Sequence, residues 1–452
     1  VAVSEERSAA VGLAPLLAVC CGYFMVILDV TIVNVAAPAI GRELGASLTD
    51  LQWIVDGYTV AFAGLLLLGG ALGDRWGHRR VFCLGVALFT VSSLGCAVAG
   101  NALVLTAFRL LEGCGAALLV PGSLALLQQV YRTPSARARA FGLWGAIAGV
   151  AATAGPLVGG VLTTTVGWRW VFAINLPVGV LCLVLTMATV APSPRDAGRV
   201  IDPLGQAAVV VTVAAVIAAL NEAGRQGIGG PAVIGGVLVA VVAAGVLVLR
   251  ERLGAHPPLP LPMVRSRPVS GGTAIGFLFN FGFYGMIFAA SVYFQQHLNL
   301  SAALAGLALL PAMAVTMVAS ALSGKLSDRF PHRRLMLIGL VTACAGLALW
   351  AVVGEVASYP VLAVAMTACG FGTSFTLTGA TSTVMNAAPA GYAGTASAAL
   401  NTARQTGSAA GVAISGSLIA LVGLPAGVAT FMAVGAAGYL LGAVLTALCV
   451  PR

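Results

Sequence analysis

Apolar runs long enough to cross a bilayer make up most of this chain, and no other feature constrains its folding as strongly. A helix needs about 20 apolar residues to span roughly 30 Å of hydrocarbon, and most of the runs reach that length. Lipid offers no partner to backbone N–H and C=O groups, so a spanning segment must satisfy them itself. The runs are too long and too uniformly apolar for barrel strands, which alternate over about 10 residues. Fourteen helical spans are predicted, over residues 12–40, 50–70, 81–100, 102–130, 140–165, 169–191, 203–222, 231–249, 269–296, 302–323, 335–353, 359–385, 395–421 and 427–449. The expected fold class is an all-α membrane protein. Charge agrees: 8% of the 452 residues are charged, against about 25% in soluble domains.

Arginine sets the orientation. Of the 23 Lys and Arg residues, eighteen fall in the tails and in one alternating set of loops, including Arg75, Arg79, Arg80, Arg132, Lys325 and Arg329. The opposite loops hold only Arg42, Arg169 and Arg225, and two more, Arg109 and Arg404, lie inside spans. Basic residues stay on the cytoplasmic side, so both termini are expected there. The polar start VAVSEERSAA is expected to be a short cytoplasmic tail, because it has no signal-peptide cleavage site. The net charge of +9 is then a topology signal. No basic patch is continuous in sequence, which argues against a nucleic-acid partner. The nine cysteines lie in apolar runs and are expected as free thiols. The four histidines lack metal-ligand spacing, so no metal site is expected.

One charged phrase is written twice. "GALGDRWGHRR" (70–80) follows the second span, and "GKLSDRFPHRR" (324–334) follows the tenth, 254 positions later. Both copies fall in loops of the same sense, the mark of two halves related by a parallel repeat. Eight spans separate the copies where a six-span half would give six, so 203–250 supplies two extra spans. Pro- and Arg-bearing stretches flank that segment as stiff linkers. The expected organisation is a six-helix bundle over 1–191, two extra helices with their linkers over 192–268, and a second six-helix bundle over 269–452.

Few residues carry chemistry. Lys325 is the only lysine, and Leu326 breaks the phosphate-loop pattern around it. The chain is not expected to hydrolyse ATP, so an ion gradient must drive any uphill work. Asp29, Asp56 and Glu112 are the acidic residues inside spans. A charge at mid-bilayer costs at least ~2.5–3.5 kcal/mol and is retained for use or paired. Asp29 is either a titrating, substrate-facing group or a structural carboxylate satisfied by hydroxyls such as Thr31. Asp56, nearer the outer surface, is either functional or simply solvated. Arg109 and Glu112 stand i, i+3 on one helix face. They form either an intrahelical ion pair or a pair in which Arg109 sets the protonation of a nearby carboxylate. Arg404 is either a functional buried cation or one that snorkels or bonds a carbonyl. Glycines at i, i+4, as at Gly145/Gly149 and Gly155/Gly159, let helices approach closely.

At these residues the chain resembles the major facilitator superfamily, and within it the fourteen-span drug/proton antiporters. The loop residues Gly70, Leu72, Asp74, Arg75, Gly77 and Arg79 match the superfamily's loop between spans two and three, with a weaker echo around Asp328 and Arg329. "LTAFRLLEGCGAA" (105–117) matches a fourth-span motif through Arg109, Gly113 and Gly115, but has Glu112 where Gln is commoner. "GPLVGG" (155–160) matches the fifth-span antiporter motif through Gly155, Pro156, Gly159 and Gly160. "LDVTIVNVAAP" (28–38, with Asn34), "WRWVFAINLPVG" (168–179) and "NTARQTGSAAGVA" (401–413) resemble stretches of the fourteen-span group.

The resemblance implies a proton-coupled efflux antiporter that exports amphipathic drugs or antibiotics by alternating access in a bacterial plasma membrane. It implies proton or substrate handling by Asp29, Asn34, Asp56, Arg109, Glu112 and Arg404. Gly70, Asp74, Arg75, Gly77, Arg79, Asp328 and Arg329 would form a cytoplasmic gate, and the fifth span a leak-proof seal. It further implies a monomer in the lipid bilayer whose partners are a small amphipathic molecule and protons, with no cofactor beyond the proton gradient. The alternative is a dedicated exporter of one endogenous metabolite, natural product or lipid. A membrane enzyme would require a clustered nucleophile and base or a metal set, which the sequence lacks. A receptor or scaffold would have no use for a gate phrase in both halves.

Overall fold

The structure is a computed structural model that describes residues 13–196, 202–227, 229–253, 263, 265–300, 302–353 and 358–451. The predicted N-terminal tail lies outside the described residues, as do the centres of both linkers, 197–201 and 254–262. Fourteen spanning helices are present among the described residues, and no strand. In chain order they are α1 (Leu13–Leu44), α2 (Leu48–Trp76), α3 (His78–Ala97), α4 (Ala102–Val130), α5 (Pro134–Thr165), α6 (Trp170–Thr189) and α7 (Pro203–Gln226). They continue as α8 (Pro231–Leu253), α9 (Arg267–Val292), α10 (Ala302–Leu326), α11 (His332–Val353), α12 (Tyr359–Ala387), α13 (Ala393–Val422) and α14 (Ala426–Cys449).

Every predicted span meets its helix. Several helices run further, because hydropathy ends at the first charge while the hydrogen-bond ladder does not. α5 starts at Pro134, a first-turn proline that needs no N–H partner there, with Thr133 capping it through a bond from Ala136 N. Hydropathy places that start near 140, beyond Arg137 and Arg139. α6 was expected to be continuous, but its helix is interrupted at Ile174, between segments Trp170–Ala173 and Asn175–Thr189. α9 ends in a widened π-helical turn, Tyr293–His297. Both copies of the charged phrase sit at helix junctions, α2 to α3 and α10 to α11. At the first junction Gly77 adopts φ +94°, a conformation that disfavours any residue with a Cβ.

The chain divides into two compact units. One comprises residues 1–199 with Gly391–Thr395, the other Val200–Ala390 with Ala396–Arg452. In the first unit, Tyr23 of α1 stacks on Trp144 of α5 with ring centroids 3.7 Å apart. In the second, the buried Tyr439 hydroxyl of α14 meets Thr373 Oγ1 of α12 at 2.6 Å and donates to Phe279 O of α9 at 3.0 Å. One side chain thus pins three helices, as a polar group must when no water can satisfy it. Large apolar residues remain exposed, such as Val242 at 68% and Leu448 at 68%. In water such surface would drive aggregation, but in hydrocarbon it costs nothing.

Helices approach closely wherever a glycine faces a neighbouring backbone. A Cβ on Gly69 of α2 would lie 2.1 Å from Ala117 O of α4, and one on Gly113 of α4 would lie 2.5 Å from Tyr58 O of α2. Neither obstacle is a side chain that can turn away. We therefore expect Gly69→Ala to cost about 1–3 kcal/mol through overpacking. Gly160 of α5 has open space around its missing Cβ. Gly160→Ala should be neutral or stabilising by up to about 1 kcal/mol, because alanine is the better helix former. Melting temperatures of the two purified variants in detergent check the contrast.

Candidate functional site

Within the first unit, charged and polar side chains from four helices close into a hydrogen-bonded ring. Arg109 of α4 is 1% exposed, and Asp29 of α1 and Glu112 of α4 are 0% exposed. Arg109 Nη1 donates to Asp29 Oδ2 at 2.5 Å and to Glu112 Oε2 at 2.7 Å. Ser93 of α3 donates through its hydroxyl to Glu112 Oε1. Asn175 of α6 donates from Nδ2 to Ser93 Oγ at 3.2 Å and to Asp29 Oδ1 at 3.4 Å, completing the circuit. Cys96 Sγ lies 3.6 Å from Glu112 Oε2.

The local structure explains how each group arrives. Gly113 and Gly115 let α4 press against α2 and α3, one turn beyond Arg109. From there Arg109 Nε reaches Ile54 O of α2 at 3.1 Å, and its Cζ sits 4.4 Å from the centroid of the Tyr58 ring. A cation over an aromatic face gains roughly 0.5–2 kcal/mol, more when desolvated. Gly155 and Gly159 of α5 face Thr31 and Ile32 of α1, next to Asp29. The break in α6 falls one residue before Asn175.

Arg109 and Glu112 do pair within α4, but the same nitrogen also holds Asp29, so the intrahelical pair is half of a larger site. Thr31 does not serve Asp29, because its hydroxyl donates back to Leu28 O at 3.0 Å and Ile27 O at 3.2 Å. Asp56 is half-buried on α2 and is not a member of the ring. The Asn34 side chain lies outside the described residues. Arg404 belongs to the second unit, where its Nη1 donates to Asn401 Oδ1 at 3.0 Å and its Cζ lies 6.0 Å from the Phe279 ring centroid. Ser93 and Asn175 were missed by sequence reasoning. Each is a small uncharged polar residue in an apolar run, a signal too common to single out.

The two copies of the charged phrase differ in surroundings. Asp74 is buried and accepts from Gly394 N at 2.7 Å, Thr395 N at 2.9 Å and Thr395 Oγ1 at 2.7 Å. It thereby caps the first turn of α13, where free N–H groups and the helix dipole favour an anion. A Cβ on Gly394 would lie 2.5 Å from Gly70 O, so both glycines hold this contact tight. Gly77 and Arg79 meet the end of α6 and the chain after it: Arg79 N donates to Ser193 Oγ at 3.1 Å and its Nη2 to Met187 O, in the last turn of α6, at 2.7 Å. Arg75 is half-buried. In the second copy, Asp328 and Arg329 are exposed in a turn.

At the opposite end of the first unit, Glu43 accepts from Trp168 Nε1 at 2.8 Å and from Arg169 Nη1. The Arg169 bond holds the Glu43 carboxyl below the usual carboxylate range against the opposing effect of desolvation, with the Trp168 bond and the Arg169 charge adding to it. In the second unit, Arg250 grips Asp202 through two bonds, Nε to Oδ2 at 2.8 Å and Nη2 to Oδ1 at 2.9 Å. This fork ties the end of α8 to the start of α7 and keeps the Asp202 carboxyl low. A 590 Å³ cavity opens between α7, α8 and α13, lined by apolar residues such as Leu220, Val237 and Leu418, with Thr212 and Ser417 the only polar ones. Among the described residues, no cluster of His, Cys, Asp or Glu could hold a metal.

Comparison with known proteins gives a consistent picture. The Major Facilitator Superfamily profile matches residues 19–412. The Methylenomycin A resistance protein of Bacillus subtilis (strain 168) is 37% identical over 418 residues, covering 92% of this chain and 90% of that one. The Tetracenomycin C resistance and export protein of Streptomyces glaucescens is 35% identical over 407 residues, covering 90% and 75%. Among solved structures, the human organic anion transporter MFSD10 (TETRAN) superposes with a TM-score of 0.67 over 98% of this chain and 99% of that one. At 16% identity that likeness concerns the fold alone.

Two outcomes follow from these contacts. Asp74→Ala should lose about 0.5–2 kcal/mol, the range for a lost helix cap, and Thr395→Ala less, since both backbone bonds survive. Thermal unfolding of the two variants measures the difference. For Glu43 the folded value is depressed, so its contribution is present above the unfolded value of about 4.3 and is lost as pH falls through the folded one. Melting curves on acidification should fall more steeply below about pH 4 for the wild type than for Glu43→Gln.

Proposed function

We propose that this chain, which belongs to the major facilitator superfamily, exports amphipathic drugs or antibiotics across a bacterial plasma membrane in exchange for protons. The observation that carries this reading is the buried ring of Asp29, Arg109, Glu112, Ser93 and Asn175. Two carboxylates and one guanidinium in a membrane span are expensive to keep. They suit a group that gains and loses a proton during work. Relatives named for antibiotic resistance and export support a small-molecule cargo moving outward.

In this scheme the ring binds a proton from outside, and the neutralised site favours one state of the transporter. Substrate favours the other. The drive each ligand supplies equals its difference in affinity between the two states, about 5.5 kcal/mol for a complete switch. Asp56, Asn34 and Arg404 are proposed to take part in proton or substrate handling. Gly70, Asp74, Arg75, Gly77 and Arg79 are proposed as a cytoplasmic gate, in which the Asp74 cap on α13 holds one state and breaks in the other. The exposed Asp328 and Arg329 are proposed to act in a different state. Gly155 and Gly159 keep α5 close to α1 and so keep water from Asp29; Pro156 and Gly160 are proposed to belong to the same seal. We propose cytoplasmic termini on the arginine bias, a monomer, and two six-helix bundles with α7 and α8 as an insertion.

The test uses purified protein in vesicles under an imposed pH gradient, challenged with cationic, neutral and anionic drugs. Wild type should show drug-evoked proton movement, and Asp29→Asn should lose it by at least tenfold, because Arg109 then pairs with Glu112 alone and their charges balance without a proton. Unchanged flux in Asp29→Asn would remove Asp29 from coupling and move the proton site to Glu112 or Asp56, and drug movement that ignores the gradient would remove the ring from coupling.

A further inference from the structure

The ring distinguishes its two carboxylates by what faces each oxygen. Asp29 Oδ2 faces Arg109 Nη1, and Asp29 Oδ1 faces the Asn175 Nδ2 amide. Both partners are donors without a lone pair to offer, so a proton on either oxygen of Asp29 would point at another hydrogen. Glu112 Oε2 likewise faces Arg109 Nη1, with Cys96 Sγ at 3.6 Å. Glu112 Oε1 alone faces a hydroxyl, that of Ser93. A hydroxyl donates and accepts, so this one contact survives when the carboxylate becomes an acid.

Charge balance demands one such acid. With both carboxylates ionised, the ring carries a net charge of −1, because arginine stays cationic. All three groups are at most 1% exposed. An uncompensated buried charge costs several kcal/mol, so the dry ring holds one proton. The other groups facing it are Tyr58 from α2, whose ring lies against Arg109, Cys96 from α3 and the neutral amide of Asn175 from α6. α5 presents glycine to α1 there. None of these is a second cation that could balance the charge instead.

We infer that Glu112 holds the exchanged proton, on the oxygen that faces Ser93, while Asp29 remains a carboxylate paired with Arg109. The inference rests on the proposed proton exchange in calling that proton the transported one, while its location stands on the hydrogen-bond pattern alone. Protonation proceeds without rearranging the ring. The proton adds to Glu112 Oε1, whose new O–H donates to Ser93 Oγ. The Ser93 hydroxyl, still accepting from Asn175, turns its own hydrogen towards a carbonyl of the preceding turn of α3. Thr90 does the same on that helix, donating to Val86 O at 2.7 Å. Release reverses these steps. Ser93 is thus a positioning residue that lets Glu112 change state.

Infrared difference spectroscopy of the wild-type protein in lipid vesicles, titrated across neutral pH, tests this directly. One preparation carries ¹³C in the glutamate side-chain carboxyl, another in that of aspartate. The C=O band of a protonated, buried carboxylic acid should move with the glutamate label, stay put with the aspartate label, and vanish in Glu112→Gln. A band that moves with the aspartate label overturns the inference, as does the absence of any such band where drug-evoked flux is measured. The two labels decide in wild type even if Glu112→Gln fails to fold. Should the band follow Glu112 while vesicles show no drug-evoked proton movement, the exchange reading fails and the proton's location stands. Should flux be present and the band follow aspartate, the location fails and the exchange reading stands.

Discussion

A single buried guanidinium shared between two carboxylates is the interaction on which the first unit turns. Arg109 is buried to 1% exposure and cannot lose its charge. Its neighbours must therefore supply anions, carbonyls and an aromatic face, and they do so from α1, α2 and α4. Removing one partner of such a buried set typically costs 3–5 kcal/mol, because the remaining charge is left uncompensated. The same property makes the site responsive. One proton more or less changes its net charge, and a charge in hydrocarbon is costly.

The ring requires helices closer together than ordinary side chains allow. Gly113 places α4 against the Tyr58 carbonyl of α2, and Gly155 places α5 against Thr31 of α1. Without a hydrophobic drive between helices in lipid, these close contacts supply the dispersion and hydrogen-bond energy that holds the bundle. Glycine thus does two kinds of work here. At helix faces it permits approach, while at Gly77 it permits a backbone conformation that ends α2 and starts α3 within a single residue.

The repeated charged phrase shows how one sequence can serve two environments. Asp74 is buried and caps α13 through three hydrogen bonds, whereas Asp328, in the matching position, is exposed in a turn. An anion at a helix N-terminus is favoured by free N–H groups and by the dipole, so the first copy has a defined partner in this state.

The sequence by itself determined the number and approximate limits of the helices and the family, because hydropathy over about 20 residues is a local property that bilayer thickness makes decisive. It also singled out Asp29, Arg109 and Glu112, since an ionisable residue in an apolar run is conspicuous wherever it packs. It left open whether Arg109 serves only its neighbour three residues on, and it offered Thr31 as a partner for Asp29. Local spacing can show that two groups share a helix face, but not what a third helix brings. Only the tertiary structure decided that Arg109 bridges Asp29 and Glu112, and that Ser93 and Asn175 close the circuit. Apart from the Arg109–Glu112 pair, these contacts join residues 19 to 146 positions apart. They depend on the approach distances glycine allows, which leave no periodic trace in the chain.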